Sequence, residues 1–326
     1  MRDNISVLVP VLNERDDIGE CLIRVAQQSQ TPTEIVVADG GSVDGTREQV
    51  ERMSRTTHDV RIRLVDNPRR LQAAGLNTAL SASTGDVVVR LDARSFVERD
   101  YIERCVATLD RTGAAVVGGQ MAPRFGQSAM GRAVAVANSS WWGAGPARFH
   151  GHGGEGPADT VYLGTFRRAW LDRVGGWAED VGVNEDYELN YRIRSAGGVV
   201  WFDPALKVGY QARTTLPGVV RQYVRYGRSK ATVVRRHPAS VRPRQVVPAL
   251  LLPAAAAVIA GGRARRVGSA AVVGHAALVG VAATRSLGIT GDAARTAAVA
   301  ASMHWSWTVG FWLGTVRRFP AAEEAR

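Results

Sequence analysis

Two acidic motifs carry the chemistry that this sequence can do. The first is Asp92-Ala93-Arg94, which directly follows the β-branched run Asp86–Leu91. A carboxylate at the end of such a run can hold a divalent ion that bridges two phosphates. Hard cations take oxygen ligands, so Mg²⁺ or Mn²⁺ is expected. A second carboxylate two residues on would hold the ion better; that position is Arg94, which either touches a phosphate or stays solvated. The ordinary alternative for Asp92 is a structural cap. The second motif is Asn184-Glu185-Asp186, at the head of a helix expected over Asn184–Gly197. The first turn of a helix favours anions by about 0.3–1 kcal/mol, which by itself explains the acids structurally. The same field keeps a carboxylate ionised, as a general base requires. A base that takes a proton from a sugar hydroxyl contributes about 10²–10⁴ in rate. Asp92 and Asp186 are far apart in the chain, so one fold must bring them together.

The elements that would do so alternate along the first 120 residues. Ile5–Pro10, Glu34–Asp39, Arg61–Asp66 and Asp86–Leu91 read as short strands, with a weaker fifth at Ala114–Val117. Helical periodicity separates them. Ile18, Cys21, Leu22 and Val25 recur at three- and four-residue steps, and further helices are expected near Gly45–Ser54, Leu71–Ser83 and Asp100–Thr112. This alternation predicts an α/β fold, with a mostly parallel sheet and helices on both faces. Such sheets bind ligands at the carboxyl ends of their strands. Polar groups gather there: Leu12-Asn13-Glu14, Gly40-Gly41-Ser42-Val43-Asp44-Gly45-Thr46, Asn67-Pro68-Arg69-Arg70 and Asp92-Ala93-Arg94. Any one of these is ordinary turn chemistry; four in succession mark a functional rim.

Several classes are excluded. The 326 residues imply roughly two domains, and a 45% apolar content rules out wholesale disorder. Two cysteines make no disulfide framework; Cys21 and Cys105 fall on helical stripes and are expected as buried free thiols, which suits a reducing location. The apolar run Ile5–Pro10 is too short for a signal peptide. Neither G-x-G-x-x-G after the first strand nor G-x-x-x-x-G-K-[ST] occurs, so the usual dinucleotide and P-loop designs are absent. No helix-turn-helix or zinc-finger pattern supports nucleic acid as a partner for the net charge of +11.

Residues 121–180 are rich in Gly and Trp and read as irregular loops over a site, with Gly151–Gly154 a candidate lid. Val199–Phe202 is a further short strand, and Leu216–Val234 a basic amphipathic helix. Beyond Arg244, three stretches contain no charged residue: Val246–Gly262, Val267–Thr284 and Thr296–Val316. Their lengths approach what a bilayer span needs, and Trp305, Trp307 and Trp312 suit an interfacial belt. A bundle of buried soluble helices is the alternative. Arg235, Arg236, Arg242 and Arg244 orient the catalytic side to the cytoplasm, yet Arg263, Arg265 and Arg266 lie in the next short loop. A re-entrant or interfacial first pair resolves that conflict. The cationic stretch Arg221–Arg244 adjoins these helices, so anionic headgroups or a lipid-pyrophosphate acceptor suit it better than DNA.

The ordered motifs together resemble the family 2 glycosyltransferases of GT-A fold, especially the succinoglycan-biosynthesis type of bacterial exopolysaccharide enzyme. The matching segments include Val9-Pro10-Val11-Leu12-Asn13-Glu14, Val36–Thr46, Asp66-Asn67-Pro68, Ala74-Gly75-Leu76-Asn77, Arg90-Leu91-Asp92-Ala93, Asn184–Arg192 and Arg221–Gly227. The resemblance implies a GT-A domain over residues 1–240, with a nucleotide-sugar half (1–120) and an acceptor half (121–240), followed by membrane-associated helices over 241–326. It implies a UDP-sugar donor bound by Pro10, Asn13, Glu14, Asp39, Arg70 and Asp92, with the metal on Asp92. Asp186 is then the catalytic base, with Glu185 beside it at the acceptor. Gln222, Arg225 and Tyr226 resemble a Gln-x-x-Arg-Trp motif, with Tyr in place of Trp, and serve acceptor or diphosphate. The expected activity is inverting transfer of a hexose to a lipid-linked or cell-surface saccharide at the cytoplasmic face of the cell membrane. Two rivals stay open: a nucleotidyltransferase on a related sheet, which would want a Gly/Arg/Lys-rich loop after the first strand, and a non-catalytic membrane scaffold.

Overall fold

A computed structural model describes residues 4–124, 128–151, 153–211 and 213–316. The chain divides into two compact units. The first is built from residues 1–122 and 153–210, the second from residues 123–152 and 211–319.

The first unit starts with the expected alternation: β1 (Ile5–Val11), α1 (Arg15–Ala26), β2 (Glu34–Asp39), α2 (Thr46–Thr56), β3 (Arg61–Asp66), α3 (Gln72–Ala82) and β4 (Val87–Arg90). β1 pairs in parallel with both β2 and β4, and β2 in parallel with β3. Side chains alternate across the sheet. Ile5, Val7, Val9 and Val11 therefore share one core with Ile18, Cys21, Leu22 and Val25 of α1. On the other face α3 lies against β1 and β2. Gly75 permits this approach, since a Cβ there would sit 2.9 Å from Asn67 Nδ2 and 3.2 Å from Pro10 Cβ. Cys21 and Cys105 are free and buried, and burial pushes both thiols up to about 12.

The remainder of this unit departs from a mostly parallel sheet. β5 (Phe96–Val97), α4 (Tyr101–Thr112) and β6 (Val116–Arg124) come next, and α5 (Ala129–Ser139) falls in the second unit. The chain continues with β7 (Gly156–Pro157), β8 (Tyr162–Arg167), α6 (Arg168–Val174), α7 (Glu185–Ser195) and β9 (Val200–Gln211). The sheet order is β3-β2-β1-β4-β8-β6-β9-β5, with β7 on β9. β8 pairs antiparallel with β4 and with β6, so the expected parallel pattern holds from β3 to β4 and then reverses. The cause is that the stretch 121–180 is not a run of loops: it supplies α5, β8 and α6. Of the expected lid, His152 lies outside the described residues.

The second unit is helical. α8 (Leu216–Arg236), α9 (Pro243–Ala249), α10 (Leu251–Ala260), α11 (Gly262–Leu287) and α12 (Gly291–Val316) join α5. α12 packs along α8 at backbone distance. A Cβ at Gly227 would lie 2.0 Å from the Trp307 carbonyl oxygen, and one at Gly310 2.1 Å from that of Val224. Small residues let helix backbones approach in this way. Pro253 has no N–H to give the carbonyl four residues earlier. That carbonyl, Ala249 O, instead accepts from the Trp312 indole at 2.8 Å and the Thr308 hydroxyl at 3.4 Å. His304 Nε2 donates to Gly143 O at 2.7 Å, and its Nδ1 meets His275 Nε2 at 2.8 Å, which ties α11 to α12.

Two helical segments are long and apolar enough to cross a membrane by length and composition, Pro243–Ala260 and Gly262–Leu287. The third expected stretch, Thr296–Val316, belongs to α12, which buries Thr296, Val299, Ala300 and Met303. The three tryptophans are engaged within the helical unit: Trp312 with Ala249, Trp307 stacked on Phe311, and Trp305 edge-on to His275. Of the expected region 241–326, residues 317–326 lie outside the described residues.

Candidate active site

The first unit brings Asp92, Glu185 and Asp186 together on one buried cation, Arg90. β4 ends at Arg90, which points its guanidinium into the protein and is 3% exposed. Its Nη2 lies 3.0 Å from Glu185 Oε1 and 3.3 Å from Asp92 Oδ1, and its Nη1 donates to Asp186 Oδ1. Burial opposes the charge on Arg90, and the three carboxylates more than offset this, so its pKa rises well above the ordinary value. A buried arginine without such partners would cost several kcal/mol, on the order of 3–5 when one partner of a buried pair is removed.

Each aspartate is held by one oxygen. Asp92 Oδ1 accepts from Arg90 and, at 3.2 Å, from Gln72 Nε2. Asp186 Oδ1 accepts from Arg90 and, at 3.1 Å, from the indole N–H of Trp177. The bonds from Arg90, Gln72 and Trp177 all go to Oδ1, and the two side chains are 34% and 21% exposed. Glu185 differs. It is buried, and its Oε2 is sequestered without a partner among the described residues. Burial raises its pKa to about 7 against the opposing pull of Arg90. Glu185 and Asp186 open α7, as expected; Asn184 is the N-cap residue, but its side chain makes no cap hydrogen bond.

The polar rim of the first unit is stitched by hydrogen bonds between its loops. Asn13 has φ 57°, and its amide donates to Ser42 Oγ at 2.8 Å while its Oδ1 accepts from Val43 N at 2.9 Å. The Glu14 amide donates to Thr46 Oγ1 at 2.8 Å. Asp39, at the end of β2, is buried and accepts from the amides of Gly41 and Ser42 and from Arg47 at 3.2 Å. Pro10 is half-buried near the end of β1, and Arg70 is exposed with φ 59°. Arg94 is half-exposed and ion-paired: its Nε lies 2.6 Å from Glu14 Oε2 and 3.4 Å from Asp17. Burial raises the Glu14 pKa, and the Arg94 ion pair opposes the rise.

Gln222, Arg225 and Tyr226 lie on α8, in the second unit. Gln222 Nε2 donates to the Tyr226 hydroxyl at 2.8 Å, and Arg225 Nε is buried without a partner among the described residues.

Two residues of this site were not singled out by the sequence reading. Arg90 falls in the strand run Asp86–Leu91, and Trp177 in the Gly- and Trp-rich stretch 121–180. Arg90 two residues before Asp92 was the available signal, because a charge that ends a buried β-branched strand needs a partner.

Parallel strands ending in a rim of polar loops are continued by antiparallel strands and by α7, which brings Glu185 and Asp186 to the arginine that also holds Asp92; with the matches that follow, this makes the chain a nucleotide-sugar-dependent glycosyltransferase. The chain belongs to glycosyl transferase family 2, whose sequence model matches residues 6–174. It is 35% identical over 313 residues to the succinoglycan biosynthesis protein ExoA of Rhizobium meliloti, covering 94% of this chain and 93% of that protein. It is 24% identical over 237 residues to poly-beta-1,6-N-acetyl-D-glucosamine synthase of Staphylococcus aureus, covering 72% of this chain and 56% of the synthase. Among solved structures, the mannosyltransferase PcManGT from Pyrobaculum calidifontis, in complex with GDP-Man and Mn²⁺, shares the fold. The TM-score is 0.64 at 24% identity, over 97% of this chain and 88% of that one.

Proposed function

We propose that the protein is an inverting transferase that moves a hexose from a UDP-sugar to a lipid-linked or cell-surface saccharide in exopolysaccharide or cell-envelope glycan synthesis. The likeness to a succinoglycan biosynthesis protein over nearly the whole chain supports the pathway class. One observation carries the mechanism: Arg90 bonds Oδ1 of both Asp92 and Asp186, so that each Oδ2 remains for a ligand.

Asp186 is the base. Its Oδ2 accepts the proton of the acceptor hydroxyl while that oxygen bonds to the anomeric carbon. The bond from that carbon to the diphosphate breaks, UDP leaves with the electron pair, and the anomeric centre inverts. Glu185 sits beside Asp186 at the acceptor.

Asp92 is the proposed metal ligand. Among the described residues no group of three His, Cys, Asp or Glu side chains is placed to hold an ion. A Mg²⁺-type site needs only one or two carboxylates plus substrate phosphates and water, and the open Oδ2 of Asp92 fits that requirement. A divalent ion bound there, Mg²⁺ or Mn²⁺, supplies charge that offsets the departing diphosphate; a relative of the same fold is known with Mn²⁺ and a nucleotide sugar. Pro10, Asn13, Glu14 and Asp39 surround the nucleoside, and Arg70 attends the diphosphate. Gln222, Arg225 and Tyr226 serve acceptor or diphosphate; the unpartnered Nε of Arg225 is a donor suited to a phosphate oxygen.

On this reading residues 1–240 carry the transfer and 241–326 the contact with the cytoplasmic face of the membrane. Residues 204–291 contain fourteen Lys and Arg and no Asp or Glu, more positive charge than the net +11 of the chain. Such a segment, adjoining two apolar helices, suits anionic lipid headgroups. UDP release from a panel of UDP-sugars, with and without Mn²⁺, tests the proposal on wild type and Asp186→Asn. Metal-dependent release by the wild type alone supports it. Equal release by both proteins removes Asp186 as the base.

A further inference from the structure

Asp186 is held from two sides, and the second holder has no place in the reaction above. Trp177 is 2% exposed, and its ring packs edge-on against Phe166, 5.5 Å between centroids at 79°. An indole N–H in such a place needs an acceptor. Its acceptor is Asp186 Oδ1, at 3.1 Å.

The ring is fixed by its backbone. Asn77 of α3 clasps Trp177 from both sides: its Oδ1 accepts from Trp177 N at 2.9 Å, and its Nδ2 donates to Trp177 O at 2.8 Å. The preceding residues, Gly175 and Gly176, have φ 84° and 71°, a left-handed turn that a β-carbon would strain. Arg192 closes that turn by donating to Val174 O and, at 2.6 Å, to Gly176 O, while Glu188 holds Arg192 at 2.7 Å. The indole thus approaches Asp186 from a chain segment anchored to both α3 and α7. The charged groups facing Asp186 are Arg90 from β4 and Glu185 from α7; Asp92 shares Arg90 with them.

We propose that Trp177 is the positioning residue of the base: its N–H fixes Asp186 Oδ1 so that Oδ2 is presented to the acceptor. This rests on the reading of Asp186 as base. The indole touches no substrate and transfers no proton. A hydrogen bond to a charged group is stronger than one between neutral groups, so its loss is felt in the orientation of the carboxylate.

The test is Trp177→Phe beside Asp186→Asn, assayed by UDP release from whichever UDP-hexose gives the largest thermal shift, with water as acceptor, across pH 5–9. Phe keeps the ring against Phe166 and removes only the donor. Expected for Trp177→Phe is a fall in kcat of about 10-fold or more, the scale of one charge-assisted hydrogen bond, with KM for the UDP-hexose unchanged. The acidic limb of the kcat profile moves to higher pH, since the ionised base has lost a donor. A purely structural role would lower thermal stability or raise KM and leave the limb in place, which overturns the proposal. Wild-type kcat and limb in Trp177→Phe overturn it as well, while an inactive Asp186→Asn still supports the base. An active Asp186→Asn sinks the base reading itself, and the positioning role with it. Should Trp177→Phe not fold, Asn77→Ser loosens the clasp and is read by the same limb and the same KM.

Discussion

The two units bury polarity in opposite ways. In the first, a charged side chain is driven into the interior, where Arg90 sits fully covered among Asp92, Glu185 and Asp186. In the second, the helices meet through bare backbone at Gly227 and Gly310, and the carbonyl that Pro253 leaves without a donor is met by Trp312. Long helices with few polar side chains on their contacts need only small residues there. A site that must hold two carboxylates in different roles needs a fixed counter-charge, since like charges would otherwise raise one another's pKa. The difference teaches where each kind of substitution should act: charge changes in the first unit on catalysis, volume changes in the second on stability.

The comparison breaks first at the base. Asp186→Asn should lower turnover by about 10²–10⁴-fold, the range of one general base, and leave UDP binding measured by calorimetry unchanged. Next is Asp92→Asn, expected to cost roughly 10²–10³-fold in kcat/KM, the scale of one electrostatic stabiliser, with the loss concentrated in the Mn²⁺-dependent part of the rate. The helical unit supplies the contrasting case. Gly227→Leu places a side chain where even a Cβ would be 2.0 Å from the Trp307 carbonyl. Overpacking of this kind costs about 1–3 kcal/mol or more, so a lower melting temperature is expected, with UDP affinity retained.

A smaller effect concerns the membrane. Replacing Arg263, Arg265 and Arg266 together by Ala should weaken binding to anionic vesicles by up to about 1 kcal/mol per arginine and leave binding to neutral vesicles as it was, in a flotation assay. The smallest is a pH effect at Glu185. Its folded pKa is raised from 4.5 to about 7, chiefly by burial. A raised pKa makes the contribution of Glu185 most favourable below about pH 4.5, and that contribution is lost as pH rises through about 7. Relative to Glu185→Gln, the wild type should therefore lose stability between about pH 4.5 and 7 and no more above that, as read from melting curves across pH 4–8.

Much of the first unit was legible from residue type alone. Strands β2 and β3 lie where the β-branched runs Glu34–Asp39 and Arg61–Asp66 put them, since such runs between turn residues have few other solutions. β8 was not legible. Tyr162–Arg167 mixes Gly, Thr and Leu163 at φ 44°, and its pairing with β4 and β6 makes it a strand. The site divides along similar lines. Asp92 and Asp186 could be named because their motifs are local. The roles of Arg90 and Trp177 depend on partners brought near by folding, 96 residues away for the bond from Arg90 to Asp186. Arg94 shows the same limit: its ion pair with Glu14 spans 80 residues, and no local pattern announces it.

The central claim is that two carboxylates gripped by one arginine do different work. Titration of UDP with and without Mn²⁺, set beside single-turnover rates, tests it most directly in Asp92→Asn and Asp186→Asn. The account predicts that Asp92→Asn loses the Mn²⁺-dependent gain in UDP affinity, while Asp186→Asn keeps that gain and loses only the rate. Equal loss of the Mn²⁺ effect in both variants, or full turnover in Asp186→Asn, would contradict it.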